Sequence, residues 1–405
     1  MKVIISGAGI GGLALAQGLH HAGHEVVVFE RGTLPEGPSG YRLRLDSRAV
    51  AVLRRLLPPE LWTALLASGV GAGAIQRLGY HDQHLRFLAE DRREDFDVLM
   101  IGRGPLRRML AHGIVDRVRW STTVASYDVG PESVSVTLSD GTVEHGDLVV
   151  SAEGVHSPLR VQLLGDAGYR STGSIAVSGR VPGRPTDLGL PVMDEALRLG
   201  YLLASGPHEL GMFLAVHDPS AGPSIDPAAV GPVAPDLEDA YLTWGLIGPE
   251  SDMPTGDDAA LRHGVEQLVA SWHPEFGRLP GLSDPASVQR YGITAATEVP
   301  IWPTTAVTVL GDAVHAVPPS GGIGASTAIR DAGHLVEAIS ATSGRAELLR
   351  ALHSYEQTMR GYADQVVADS VKPLHWQHQL ASPAVHTVAT GVLAGAQGLR
   401  RLVRR

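Results

Sequence analysis

The sequence predicts an α/β fold in which a parallel sheet is interrupted by a second, mostly antiparallel sheet, and three observations carry that expectation. Residues 2–6 (KVIIS) and 25–30 (EVVVFE) are short apolar runs on either side of a helical stretch over 10–22, the pattern of a strand–helix–strand unit with parallel strands. A third apolar run, 306–310 (AVTVL), enters a second glycine-rich turn, GDAVHAVPPSGGIGAS at 311–326, which continues as a helix to Ile339. Between about 175 and 290 the texture changes to short strands separated by loops rich in proline and glycine, such as 218–235.

Bulk properties narrow the function. A chain of 405 residues is too long for one core, so two or three domains are expected. Hydrophobic residues at 44% and charged residues at 19% give a globular composition. The net charge of -10, with arginines scattered, speaks against a nucleic-acid groove and for a small-molecule ligand. The absence of cysteine excludes disulfides, thiolate metal sites and a cysteine nucleophile, and fits a cytoplasmic location. Lys2 and Lys372 are the only lysines, which excludes a mid-chain catalytic lysine. The histidines are dispersed, His20-His21 and the pair His375 and His378 lack a third ligand, and no metal site is expected. The stretch 384–403 is rich in small apolar residues and is followed by Arg404 and Arg405; it reads as a helix packed on the body rather than a stable membrane insertion. A monomer or homodimer is expected.

The remaining elements follow in order. Asp46 or Ser47 caps a helix over RAVAVLRRLL, which Pro58-Pro59 stops, and a further helix covers 60–67. Gly69 to Gly73 reads as a loop only. Alternation in 75–88 around HDQH predicts a hairpin outside the parallel sheet, and Gly104-Pro105 opens a helix through Leu110. Residues 133–138 and 142–150 pair as antiparallel strands through Asp140-Gly141, the second running straight into a glycine turn. IAVSGRV, LRLGYLLA, LGMFLAVH and AYLTWGLI are the strands of the second sheet, and the chain is helical from about 346.

Two motifs bear chemistry. Gly7-Ala8-Gly9-Ile10-Gly11-Gly12 follows a strand and opens a helix, so its glycines let the backbone turn tightly and approach a pyrophosphate. Glu30 ends the next strand, where its carboxylate can accept hydrogen bonds from both ribose hydroxyls, with Arg31 beside it. Together they form a Rossmann-type dinucleotide turn. In the second motif a buried strand delivers Gly311 and Asp312 to the carboxyl edge of the sheet, where Asp312 can accept a hydrogen bond from a sugar-alcohol hydroxyl. Pro318-Pro319 fixes the backbone, and Gly321, Gly322 and Gly324 bring a helix N-terminus close to a flat ligand, suited to negative charge on a reduced flavin.

These residues resemble the single-component, class A FAD-dependent aromatic monooxygenases of the p-hydroxybenzoate hydroxylase fold. The resemblance rests on Gly7, Gly9, Gly12 and Glu30, on Arg103 in GRGPLRRML, on EGVHSPLR at 153–160 and on GDAVHAVPP at 311–319. It implies that Glu30 binds the adenosine ribose of FAD, that Arg103 lies along the cofactor, that Asp312 holds the ribityl chain, and that Pro318 and Pro319 line the flavin face where O2 reacts. The 153–160 stretch would serve FAD and NAD(P)H. Here Glu153-Gly154 replaces the usual Asp-Gly, and Gly322-Ile323-Gly324 replaces the Gly-Gln-Gly of many relatives.

The resemblance further implies an NAD(P)H-consuming enzyme that hydroxylates a small aromatic or polyketide-like molecule through a flavin C4a-hydroperoxide, as in secondary metabolism. No acid–base residue is identifiable. Arg180, Tyr201, His217 and Trp244 are the candidate substrate contacts from the second domain. The expected FAD-binding domain is discontinuous, over 1–75, 97–178 and 285–345; the substrate-binding β domain covers 76–96 and 179–284, and 346–405 is a C-terminal helical segment. Baeyer–Villiger oxygenation, a flavin reductase and a redox-silent flavin- or substrate-binding protein are the alternatives.

Overall fold

A computed structural model describes residues 1–34, 42–70, 77–92, 99–165, 168–198, 200–221, 231–318 and 322–380, the side chains of 77, 91, 92, 221 and 373–380 excepted. The expected loop at 71–73, Pro319 and the segment 384–403 lie outside the described residues, as do the side chains of His375 and His378.

Five parallel strands lie side by side in the order Val307–Val309, Leu148–Ser151, Lys2–Ser6, Glu25–Phe29 and Val118–Arg119. Their near-continuous apolar sequences follow from burial on both faces. Alternate residues Val3, Ile5, Val26, Val28, Leu148 and Val150 join a core with the helices Ile10–His21, Ser47–Leu56 and Gly324–Ile339. Ile4, Phe29, Val149 and Val307 point the other way, onto a three-stranded antiparallel sheet formed by Val124–Val129, Val134–Leu138 and Val143–Gly146.

The single strand expected over 142–150 is corrected to two. Val143–Gly146 pairs antiparallel with Val134–Leu138, whereas Leu148–Ser151 pairs parallel with Lys2–Ser6. Asp147 makes the switch: its N–H donates to the Lys2 carbonyl at 2.8 Å and its carboxylate accepts the Lys2 N–H at 2.7 Å. Gly146 allows the crossing, because a Cβ there would lie 3.1 Å from the Ile4 side chain and the Lys2 carbonyl.

A seven-stranded sheet runs in the order Gln289–Ala296, Tyr169–Pro182, Tyr241–Pro249, Gly211–His217, Gly200–Ser205, Arg77–Asp82 and Phe87–Arg92. All its pairs are antiparallel except Arg77–Asp82 with Gly200–Ser205, so the expected hairpin joins this sheet's edge. The strand Tyr169–Pro182 is 14 residues long and takes 169–178 into this sheet, as Gln289–Ala296 does for residues beyond 284. Three helices that the strand-rich texture concealed, Pro191–Leu197, Asp258–Leu268 and Pro274–Leu282, cover one face through Leu202, Met212, Leu214, Leu242, Trp244 and Leu246. The opposite face carries Tyr201, Phe213, His217, Tyr241 and Arg180, as the period of two requires.

Last comes the helix Arg345–Leu380, which places Leu348, Leu352, Tyr355, Met359 and Ala363 in the main core at helical spacing. Among the described residues no helix is long and apolar enough to cross a membrane.

One buried group makes the fold acid-sensitive. His217 is 1% exposed and stacks on Tyr241 with ring centroids 4.8 Å apart. Burial lowers its pKa from 6.5 to about 4, and the charges of Arg42 and Arg180 push the same way. Its contribution to stability is therefore fully present above 6.5 and is lost as the pH falls toward 4, at a linked cost on the order of 3 kcal/mol. Denaturant titrations from pH 7 to pH 4 should show wild type losing ground to His217→Phe by about this amount. A pH-independent difference between the two would refute the assignment.

Candidate functional site: a nucleotide cleft at the carboxyl edge of the parallel sheet

Three strands of the parallel sheet each end in a turn at the same edge, where open α/β sheets bind ligands. Lys2–Ser6 leads into Gly7, Leu148–Ser151 into Glu153, and Val307–Val309 into Gly311. The first turn is shaped by close approach. Gly7 has φ of 107°, and a Cβ on it would lie 2.4 Å from the Ala152 carbonyl oxygen. One on Gly12 would lie 2.0 Å from the Gly7 carbonyl oxygen. Gly11 packs against Leu310 and Ala328, which draws the third turn and its helix alongside. Gly9 is different: its nearest neighbour would be the Ala152 oxygen at 3.9 Å, so this N-cap position has open space in front of it. With no side-chain cap, the helix Ile10–His21 presents its first N–H groups and the positive end of its dipole there.

Glu30 is pinned by backbone donors. The Ala8 N–H donates to Oε2 and the Gly32 N–H to Oε1, each at 2.8 Å. Oε1 keeps a further lone pair for a hydroxyl donor. The arginine touching this pair is Arg107, one helical turn after Arg103 in Arg103–Ala111. Its Nη2 lies 3.3 Å from Glu30 Oε2 and its Nε donates to the Ala8 carbonyl at 2.7 Å. Arg103 heads the helix, half-buried, and its charge reaches both Arg107 and Asp312. Arg31 is exposed, and its charge reaches Glu153.

At the second turn, the Glu153 carboxylate accepts Ser6 Oγ at 2.6 Å and Ser157 Oγ at 2.5 Å. Ser157 lies 2.7 Å from Ser151 Oγ and caps the helix Pro158–Leu164. Burial raises the Glu153 pKa above the usual carboxylate range, against the opposing pull of the two serine hydroxyls. The longer side chain is thus folded back across the ends of two strands.

The third turn packs against the second, the short helix Asp312–His315 lying on Gly154–His156. Gly311 adopts φ of 63°, a conformation that a side chain would strain. Asp312 is solvent-accessible although protein atoms crowd round its carboxylate. That crowding raises its pKa, Asp331 adding to the effect while His315 and Arg103 oppose it. A Cβ on Gly324 would lie 3.8 Å from Asp312 Oδ1, so the uncapped start of Gly324–Ile339 adjoins the carboxylate. Ile323 is the half-buried N-cap residue of that helix, Gly322 is exposed with φ of 62°, and Pro318 is buried.

The seven-stranded sheet meets this edge at two points. The Tyr169 hydroxyl donates to the Asp312 carbonyl at 2.7 Å, and the Ala296 N–H to the Ala316 carbonyl at 2.8 Å. At the other end Tyr201 donates to Met100 Sδ at 2.8 Å, and Arg42 Nη1 donates to the Val216 carbonyl. Of the four candidate substrate contacts, Arg180, Tyr201 and His217 share the helix-free face. Arg180 is committed to Glu238 at 2.7 Å, and its guanidinium carbon lies 3.5 Å from the Tyr241 ring centroid. Half-buried Tyr201 packs against Phe213 with centroids 5.4 Å apart. Trp244 is corrected: strand alternation turns it to the opposite face, where it is fully buried and donates to Ser283 Oγ at 2.8 Å.

The arrangement can hold an anion at Gly9, ribose hydroxyls at Glu30 and a polyol at Asp312. The room in front of Gly9 and the accessibility of Asp312 both fit a long dinucleotide such as FAD. Sequence reading missed Arg42, Arg107, Glu238 and Asp331. Arg107 was discoverable, lying four residues beyond Arg103 on the same helical face. Arg42, Glu238 and Asp331 carry no motif and are found only by packing. No group of acidic and histidine side chains suited to a metal occurs among the described residues.

Comparison with known proteins gives the same picture. Residues 1–370 match a family described as FAD binding domain. The dual O-methyltransferase/FAD-dependent monooxygenase elcB of Phaeosphaeria nodorum is 30% identical over 86% of this chain, which spans 41% of that protein's length. The 3-amino-4-hydroxybenzoate 2-monooxygenase of Streptomyces cremeus is 28% identical over 88% of this chain and 82% of its own. A structure from Photorhabdus luminescens described as that of an FAD-containing monooxygenase superimposes with a TM-score of 0.77 at 26% identity, covering 92% of this chain and 97% of that one. A single-residue variant of Klebsiella pneumoniae HpxO complexed with FAD shares the fold, with a TM-score of 0.77 at 21% identity over 99% of this chain and 97% of its own. On the match across 1–370 and the three turns gathered at one sheet edge, the chain belongs to the FAD binding domain family, with the fold of the class A flavoprotein monooxygenases.

Proposed function

We propose that this chain is an FAD-dependent monooxygenase that consumes NAD(P)H and O2 to hydroxylate a small aromatic or polyketide-like molecule. The observation that carries the reading is Asp312: an accessible carboxylate beside an uncapped helix start, at the carboxyl edge of the parallel sheet where Tyr169 of the seven-stranded sheet meets it. FAD held there would supply the redox chemistry that hydride from NAD(P)H and oxygen transfer from O2 require.

The residues then divide the labour. Gly9 and the start of Ile10–His21 take the pyrophosphate, Glu30 the adenosine ribose, and Asp312 the ribityl hydroxyls. Arg103 would lie along the cofactor, and Arg107 holds the Glu30 turn. The start of Gly324–Ile339 would offer the flavin ring backbone N–H groups, which Ile323 leaves intact, and so favour negative charge there. Pro318 and the face carrying Tyr201 and Phe213 exclude water and give an aromatic acceptor a stacking surface. In this reading 76–96 and 179–284 form the substrate-binding part of a cytoplasmic monomer or homodimer.

Two glycine variants separate cradle from scaffold. Gly9→Ala should keep the melting temperature within a few degrees yet weaken FAD binding, measured by flavin fluorescence, by about tenfold or more. Gly12→Ala should instead destabilise the fold itself, because its Cβ meets a carbonyl oxygen. Equal behaviour of the two would sink the assignment.

Asp312→Ala should remain folded while FAD affinity drops roughly ten- to hundredfold, the worth of a charged hydrogen bond. Retained wild-type affinity would leave Asp312 as a structural residue only. For the reaction, stopped-flow mixing with NADH or NADPH should bleach the flavin absorbance, and candidate aromatics should be consumed only when O2 is admitted. Turnover at the same rate without O2 would indicate a reductase.

A further inference from the structure

Beneath the third turn lies a buried ionic group that the cofactor contacts do not use. Asp331 sits two turns into Gly324–Ile339, on the face bearing Thr327 and Leu335, and is 0% exposed. A buried carboxylate must be matched by donors, and here they come from three elements. The Gly311 N–H donates to Oδ2 at 2.8 Å and His315 Nε2 to the same oxygen at 2.7 Å. The Tyr362 hydroxyl, on Arg345–Leu380, donates to Oδ1. The two donors to Oδ2 flank Asp312 in sequence, so one oxygen fixes both ends of the segment that presents the Asp312 carboxylate. His315 is 1% exposed. Burial alone would lower its pKa, but Asp331 and Asp312 together with a backbone contact raise it, while Asp331 is held below its usual range.

The long helix grips the same strand and turn elsewhere. The Tyr355 hydroxyl donates to the Val309 carbonyl at 2.9 Å, two residues before Gly311. Glu356 accepts Thr308 Oγ1 and Trp302 Nε1, both at 3.0 Å. Arg330 stacks over the Tyr362 ring with its guanidinium carbon 4.1 Å from the centroid, which holds the phenol against Asp331.

We propose that Asp331 is a positioning residue for the cofactor turn and that Tyr362 couples the helix Arg345–Leu380 to it, so that FAD capture and the seating of that helix are linked. The linkage is reciprocal: whatever FAD gains from a seated helix, the helix gains from bound FAD. The inference rests on FAD occupying the Asp312 turn.

The experiment uses the full chain stripped of flavin. FAD is titrated by fluorescence into wild type, Tyr362→Phe and Asp331→Asn, and amide exchange of the peptides spanning 355–372 is followed with and without FAD. Tyr362→Phe should raise the FAD Kd about five- to tenfold, and Asp331→Asn more, beyond any change in the melting temperature of the apo chain. FAD should slow exchange over 355–372 in wild type, and that protection should shrink in Tyr362→Phe. If Asp331→Asn fails to fold, His315→Gln takes its place with the same expectation. Variants that bind FAD like wild type, or exchange over 355–372 that FAD leaves unchanged, would overturn the coupling alone. A wild-type chain that takes up no FAD would overturn the cofactor reading together with it.

Discussion

Everything in the cleft depends on how closely three turns approach one another at the carboxyl edge of the parallel sheet. Gly7 and Gly12 set that distance, because both meet backbone atoms at separations no Cβ tolerates. Gly11 then sets the distance to the third turn by packing on Leu310 and Ala328. Were any of these residues larger, the first helix would lift, and the first and third turns would no longer flank one ligand. The open space before Gly9 has meaning only because its neighbours are so tightly closed.

The polar groups fall into two layers. Those at the surface of the cleft, Asp312 and the starts of two helices, keep capacity for a ligand. Those behind it are spent on the protein: Glu153 on two serines, Arg180 on Glu238, Asp331 on a backbone N–H, a histidine and a tyrosine. Glu30 belongs to both layers, held by two N–H groups and Arg107 yet with a lone pair to spare on Oε1. Such backing restricts the orientation of the front layer before a cofactor arrives, which lowers the entropy lost on binding.

The two sheets share the work unequally. The parallel sheet is apolar on both faces and supplies rigid strand ends. The seven-stranded sheet is apolar where three helices cover it and mixed aromatic and polar on the other face, where Tyr201, Phe213, His217 and Arg180 gather. Alternation along Tyr241–Pro249 shows the division in one strand: Tyr241 and Thr243 face one way, Leu242 and Trp244 the other.

Much of this was legible in the amino-acid order alone, wherever the information is local. The strand–turn–helix units, the glycine turns, Glu30 at a strand end and Asp312 after a buried strand all follow from apolar runs, turn chemistry and spacing along a few consecutive residues. What depends on distant partners was not legible. The break at Asp147 arises from a hydrogen-bonded pairing with Lys2, 145 positions away. The orientation of Trp244 depends on which face three unforeseen helices cover. The part played by Arg107 depends on where Glu30 lies, and the meaning of Asp331 depends on a tyrosine 31 residues on. Sequence by itself determined which turns exist and what ligand chemistry each suits; tertiary structure decided which side chains face the cleft and which hold it from behind, because those choices are made by contacts between residues far apart in the chain.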